Sequence, residues 1–212
     1  MPDPQAPQAP PPPTPPSAPQ MPAWTSNITS SVPTPGPAGF FYADVPNRIF
    51  AYIIDAIIIA ILNLVIIAII GAIFGSAVNT NINSGDFGAI NYVTVFVAGV
   101  IGLVVNAGYF IYTWTRMRGT VGMKALGMQV GAETDGSTLD TNQAVTRWLL
   151  LGGIFSIAQL FNPLPLLGLL LALLALVWVI VLLVTTAQSP TKQGLHDRYA
   201  HTMVVKAARQ VA

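Results

Sequence analysis

Few residues in this chain could do chemistry, and the first of them is a carboxylate inside an apolar run. From Ile49 to Phe74 the sequence is broken only by Tyr52, Asp55 and Asn63, with Arg48 immediately before it. At 100° and 1.5 Å per helical residue, Arg48 and Asp55 leave nearly the same face of a helix, roughly 10 Å apart along its axis. An ionised carboxylate at membrane depth is costly unless it is paired, protonated or beside a wet cavity. Two chemistries follow. In one, Asp55 binds and releases a proton or small cation, with Arg48 and Asn106 tuning its affinity. In the other, Arg48 neutralises Asp55 directly or through water and the pair is structural. Asn106 enters because it lies eight residues before Trp114, at the end of the next apolar run. In an antiparallel neighbour that is about the depth of Asp55, some 10 to 12 Å from one membrane face.

Other chemistries lack their parts. The chain has no cysteine and two histidines, His196 and His201, too few to build a metal site. His196 and Asp197 are adjacent, and sequence neighbours rarely share a face, so adjacency does not make them a catalytic dyad. Without a nucleophile beside an orienting base, the chain is not expected to be an enzyme and has no expected catalytic residue, metal or cofactor. There is no Walker-type phosphate loop, and no basic cluster interleaved with aromatics to suggest nucleic acid.

The elements that must position these residues are membrane spans. Of 212 residues, 53% are apolar and only 8% charged, against about a quarter charged in soluble domains. Apolar stretches at about 49–74, 90–114, 142–161 and 165–187 read as four spans, the first being roughly 39 Å of helix. The expected fold is an all-α membrane protein, a four-helix transmembrane bundle. The third run is short: Trp148 to Phe161 holds 14 apolar-rich residues, so it either starts near Asn142 and crosses or lies re-entrant. Gly99, Gly102, Asn106 and Tyr109 fall on one face of the second span, small then polar, a pattern that lets a neighbouring helix approach. Of nine Lys and Arg, none lies in 75–89 or around 162–165. The positive-inside rule then places both termini and the central loop in the cytoplasm, for a multi-pass protein of the inner (plasma) membrane. Trp114 and Trp148 fit a cytoplasmic aromatic belt, and Trp178 fits the bundle interior. Met128–Ala132 and Thr202–Lys206 favour β structure and, too short to stand alone, could pair as a two-stranded cytoplasmic β element.

Residues 1–39 contain 14 of the 18 prolines and read as a disordered cytoplasmic tail, extended and polyproline-like. Spacings such as Pro7-x-x-Pro10 and Pro16-x-x-Pro19 suit a proline-reading protein module, although a tether alone accounts for them. Residues 40–206 form the membrane domain and 207–212 a C-terminal tail. Expected partners are the lipid bilayer, a small cation or proton, such a module, and further copies of the chain as an oligomer.

Arg48 with Asp55, the run Thr120-x-Gly122-x-x-x-Leu126-Gly127-Met128-x-Val130, Arg147 before the next apolar segment, and Gly194-Leu195-His196-Asp197 followed by Thr202-x-Val204-Val205 together resemble the RDD family of small bacterial membrane proteins. The resemblance spans about residues 40–206, with the tail outside it as in RDD proteins of the proline-rich-antigen type. The family's one arginine and two aspartates fall on Arg48, Asp55 and Asp197. Met123 departs from it, standing where the family often has lysine. Transport is the activity the resemblance usually implies, with some members linked to sodium/proton exchange. The competing expectation is an anchor or assembly protein in which Arg48, Asp55 and Asp197 form a purely structural network, Arg198 being at hand to neutralise Asp197.

Overall fold

Helix α1, Val45–Phe74, begins where its sequence provides for the free amides of a helix start. Asp44 accepts from the Asn47 amide at 3.3 Å, and Pro46 sits in the first turn, where no hydrogen bond is lost. Gly75 ends it at φ 90°, a conformation that favours glycine. Residues 34–81, 86–161 and 164–206 are described in the computed structural model. The proline-rich tail up to residue 33 and the C-terminal tail 207–212 lie outside them.

Among the described residues, four helices are long and apolar enough to cross a membrane: Val45–Phe74, Tyr92–Met117, Thr141–Phe161 and Leu166–Gln188. The second is α2. The third is composite, with α4 (Thr141–Trp148), a π-helical turn (Leu149–Gly153), α5 (Ile154–Ala158) and a closing 3-10 turn (Gln159–Phe161). A reciprocal cap between Asp140 and Gln143 starts it at Thr141, so a polar first turn supplies the length the apolar run lacks. In the π turn Trp178 Nε1 donates to the Leu150 carbonyl at 2.7 Å, tying the turn to the last span, α6 (Pro165–Gln188). The expected packing face of α2 is present: Gly102 leaves room for the Asn63 side chain of α1, and Gly99 for Leu160. Large side chains such as Leu64 and Leu166, 67% and 86% exposed, leave an apolar outer surface that a lipid bilayer covers.

At one end of the bundle the short elements assemble. They are β1 (Phe41–Tyr42), α3 (Val121–Ala125), β4 (Met128–Ala132), α7 (Leu195–Tyr199) and β5 (Thr202–Lys206). The expected pairing of Met128–Ala132 with Thr202–Lys206 is formed antiparallel, with Val130 opposite Val204. The sheet gains a third strand, order β1-β5-β4, because the chain leading into α1 pairs Phe41 with Lys206. At the opposite end β2 (Val78–Asn81) and β3 (Asp86–Ile90) make a hairpin.

The protein's tightly packed core sits at the sheet end, where Trp114, Leu126, Val130, Ala144 and Val204 are fully buried. This revises the aromatic belt. Trp114 and Trp148 are 1% and 8% exposed, core side chains between the spans and the sheet. Trp178 packs within the bundle as expected.

Candidate functional site

Asp55 is buried on α1 and accepts three hydrogen bonds: from the Tyr109 hydroxyl at 2.7 Å, the Thr120 hydroxyl at 2.5 Å and the Gly122 amide at 2.9 Å. Thr120 also caps α3, accepting from the Met123 amide at 3.2 Å. Gly122 is required by contact, since a Cβ there would overlap the Ala51 carbonyl of α1. The Thr120-x-Gly122 pair is therefore the seat of the Asp55 carboxylate, a role that sequence reasoning missed.

Arg48 does not meet Asp55. Helical side chains lean toward the N-terminus, so Arg48, already on the N-terminal side, reaches away from it. Its Nη1 donates to Asp197 at 2.6 Å and its Nε to the Ala43 carbonyl at 3.0 Å. Arg147, at the end of α4, donates to the other Asp197 oxygen and, at 2.6 Å, to the Thr202 hydroxyl. Its guanidinium lies 5.1 Å from the centre of the Trp114 ring, a cation–π contact. Asp197 thus sits between two guanidinium groups from different spans. The expected partner Arg198 is exposed and makes no ion pair among the described residues. Asn106 does not touch Asp55 either. It accepts from Trp148 Nε1 at 2.8 Å and Ser156 Oγ at 3.4 Å, so it joins α2 to the third span.

Burial pushes the Asp197 carboxyl up, but the Arg147 and Arg48 guanidinium groups beside it outweigh that and hold it well below the usual carboxylate range. His196 Nε2 lies 3.5 Å from Asp197. Burial nevertheless drives the imidazole down to about 4, against the opposing pull of Asp197. His196 is accordingly neutral near pH 7, and the arginines supply the positive charge around Asp197.

A cavity of about 310 Å³ runs between α1 and α6, bounded on its inner side by Asp55, Arg48, Arg147, Trp114 and His196. Four of these five residues keep a buried nitrogen without a hydrogen-bond partner among the described residues: Arg48 Nη2, Arg147 Nε, Trp114 Nε1 and His196 Nδ1. No group of three or more His, Cys, Asp or Glu able to hold a metal occurs among the described residues.

The RDD family's sequence model matches the chain over residues 42–201. The chain belongs to the RDD family. Members are typically small bacterial membrane proteins, which agrees with the four long apolar helices. No curated protein and no solved structure matches the chain. In this RDD protein the two aspartates have different neighbours: Asp197 is held by cations, Asp55 by neutral donors. The residues that complete the site, Tyr109, Thr120, Gly122 and Arg147, lie in the segments the sequence motifs mark, but their carboxylate partners, Asp55 on α1 and Asp197 on α7, are far away in the chain and no local spacing encodes them.

Proposed function

We propose that this RDD protein is a multi-pass protein of the inner membrane with both termini in the cytoplasm, and that it works as an anchor or assembly platform. Its Arg48–Asp197–Arg147 network is then a lock that fastens α7 and the sheet to the spans. The supporting observation is that both carboxylates are already occupied. Asp55 receives three donors and Asp197 two guanidinium groups, so a cation binding at Asp55 must displace the contacts that hold α3 to α1. All described lysines and arginines sit at the sheet end by their place in the chain, which the positive-inside rule favours on the cytoplasmic side. The proline-rich tail joins the chain there, just before β1, where a proline-reading module would meet it.

A second reading, exchange of a proton or small cation at Asp55, is favoured by one fact: Asp55 lines the cavity and makes no ion pair among the described residues. Reconstitution in vesicles carrying pH- and ion-sensitive dyes decides between the two. The anchor reading expects no Asp55-dependent flux and a lower folded yield for Asp55→Asn. Flux in the native protein that vanishes in a well-folded Asp55→Asn protein overturns it.

A further inference from the structure

The cavity has an apolar mouth. Ile49, Tyr52, Ile53, Val179 and Leu183 line it and are also exposed on the outer surface, so it opens sideways between α1 and α6 onto the lipid-facing side of the protein. A void in that position does not stay empty or fill with water. Along its apolar length, lined by Ile49, Ile53, Phe155, Val179 and Leu183, water would find few polar partners, and a vacuum forfeits dispersion contacts. An acyl chain satisfies both conditions. The volume, about 310 Å³, lies at the low end of small-molecule sites, which run from about 300 to 1,000 Å³. That is room for one chain and not for a whole two-chain lipid.

The end of the cavity near Val45 and Arg48 is the beginning of the first span, the depth at which lipid head groups lie. There two guanidinium groups share one carboxylate, with neutral His196 beside them. Arg48 Nη2, Arg147 Nε and His196 Nδ1 have no hydrogen-bond partner among the described residues. The carboxylate that lines the cavity, Asp55, is roughly 10 Å deeper along the axis, with its oxygens met by three donors. The shallow end is therefore short of one negative charge. Basic pockets between spans are suited to acidic head groups.

We infer that the crevice between α1 and α6 is a binding site for an anionic phospholipid, one of whose acyl chains enters the cavity while its phosphate faces Arg48. A zwitterionic lipid carries its own cation to the same place and gains less. Arg48 is the head-group residue because its side chain, 14% exposed, is the more accessible of the two guanidinium groups. Leu183 and Ile53 frame the entry.

Native mass spectrometry of the full-length protein, delipidated and then offered phosphatidylglycerol, phosphatidylcholine of the same chains, or oleate, tests this. Phosphatidylglycerol should be retained about tenfold over phosphatidylcholine, the ratio that one charge-assisted contact implies. Leu183→Trp narrows the entry and should lose that retention, whereas Leu174→Trp, on an exposed face outside the crevice, should keep it; thermal unfolding verifies that both are folded. Arg48→Gln should abolish the preference between head groups. Equal retention of the two phospholipids, retention undiminished in folded Leu183→Trp, or retention of oleate without phosphatidylglycerol would each overturn the inference.

Discussion

Asp197→Asn is the sharpest perturbation available, because it removes the anion between a buried cation, Arg147, and a half-buried one, Arg48, while nearly preserving shape. Arg147 cannot recover by moving: its side chain is 4% exposed, pinned by Thr202 and lying over Trp114. Arg48 is 14% exposed at the start of α1 and can turn toward water. The loss should therefore be that of one orphaned buried charge, about 3–5 kcal/mol, a large part of the roughly 5–15 kcal/mol that holds a domain together. Detergent-titrated unfolding followed by tryptophan emission is a suitable assay, since Trp114 is in the affected cluster. Arg147→Gln should cost less than Asp197→Asn, because Asp197 then keeps Arg48. Arg147→Met combined with Asp197→Leu should regain much of the loss, as apolar replacements of buried pairs commonly do. If Asp197→Asn unfolds within about 1 kcal/mol of the native protein, the range of an exposed pair, the lock is not buried and the reasoning fails.

Three further outcomes follow from the same geometry. His196 is held neutral at about 4 against an ordinary 6.5, so the unfolded chain binds its proton first and stability falls as pH drops from 6.5 to 4, by about 3 kcal/mol in all. Unfolding free energy measured across that window should lose this slope in His196→Gln, whereas the contribution of Asp197, its pKa depressed below 3.8, is kept through the window and lost only in stronger acid. Gly122→Ala places a methyl group against the Ala51 carbonyl and should destabilise by about 1–3 kcal/mol, and Tyr109→Phe, which removes one Asp55 donor together with the acceptor of the Val121 amide, should also cost about 1–3 kcal/mol in the same titration. Cysteines introduced at Val130 and Val204, directly opposed in the sheet, should form a disulfide on mild oxidation; failure to crosslink in folded protein would refute the register.

Hydropathy made the spans legible because lipid imposes one requirement over some twenty residues. The pairing of β4 with β5 was legible too, since two short β-favouring segments at one end of a bundle have few alternatives. What the sequence did not disclose was the choice of partners. Facing positions on α1 suggested Arg48 with Asp55, but helical periodicity fixes where a side chain leaves the axis and not which way a long one leans. Likewise Asn106 lies at the depth of Asp55 yet faces Trp148 across a different helix pair. Trp114 and Trp148 read as belt residues because interfacial and core tryptophans have the same composition signal; only the sheet folded beneath them makes them core. Motif order brought Arg147, Thr120 and Gly122 into view without roles, since each acts on a residue more than 45 positions away.

The different company of the two aspartates has a physical origin in depth. A guanidinium carried well into the bundle would have to be stripped of water, a cost that its attraction to a carboxylate only partly offsets. Hydroxyl and amide donors are far cheaper to bury, and one carboxylate has lone pairs enough to accept three of them. Asp55 is accordingly met by Tyr109, Thr120 and Gly122, while both arginines stay at the sheet end and share Asp197. The division leaves the inner wall of the crevice uneven, with excess positive charge at its shallow end and a satisfied carboxylate further in. An amphiphile with an acidic head and an apolar tail matches that polarity in one orientation only, head toward the sheet and chain between α1 and α6.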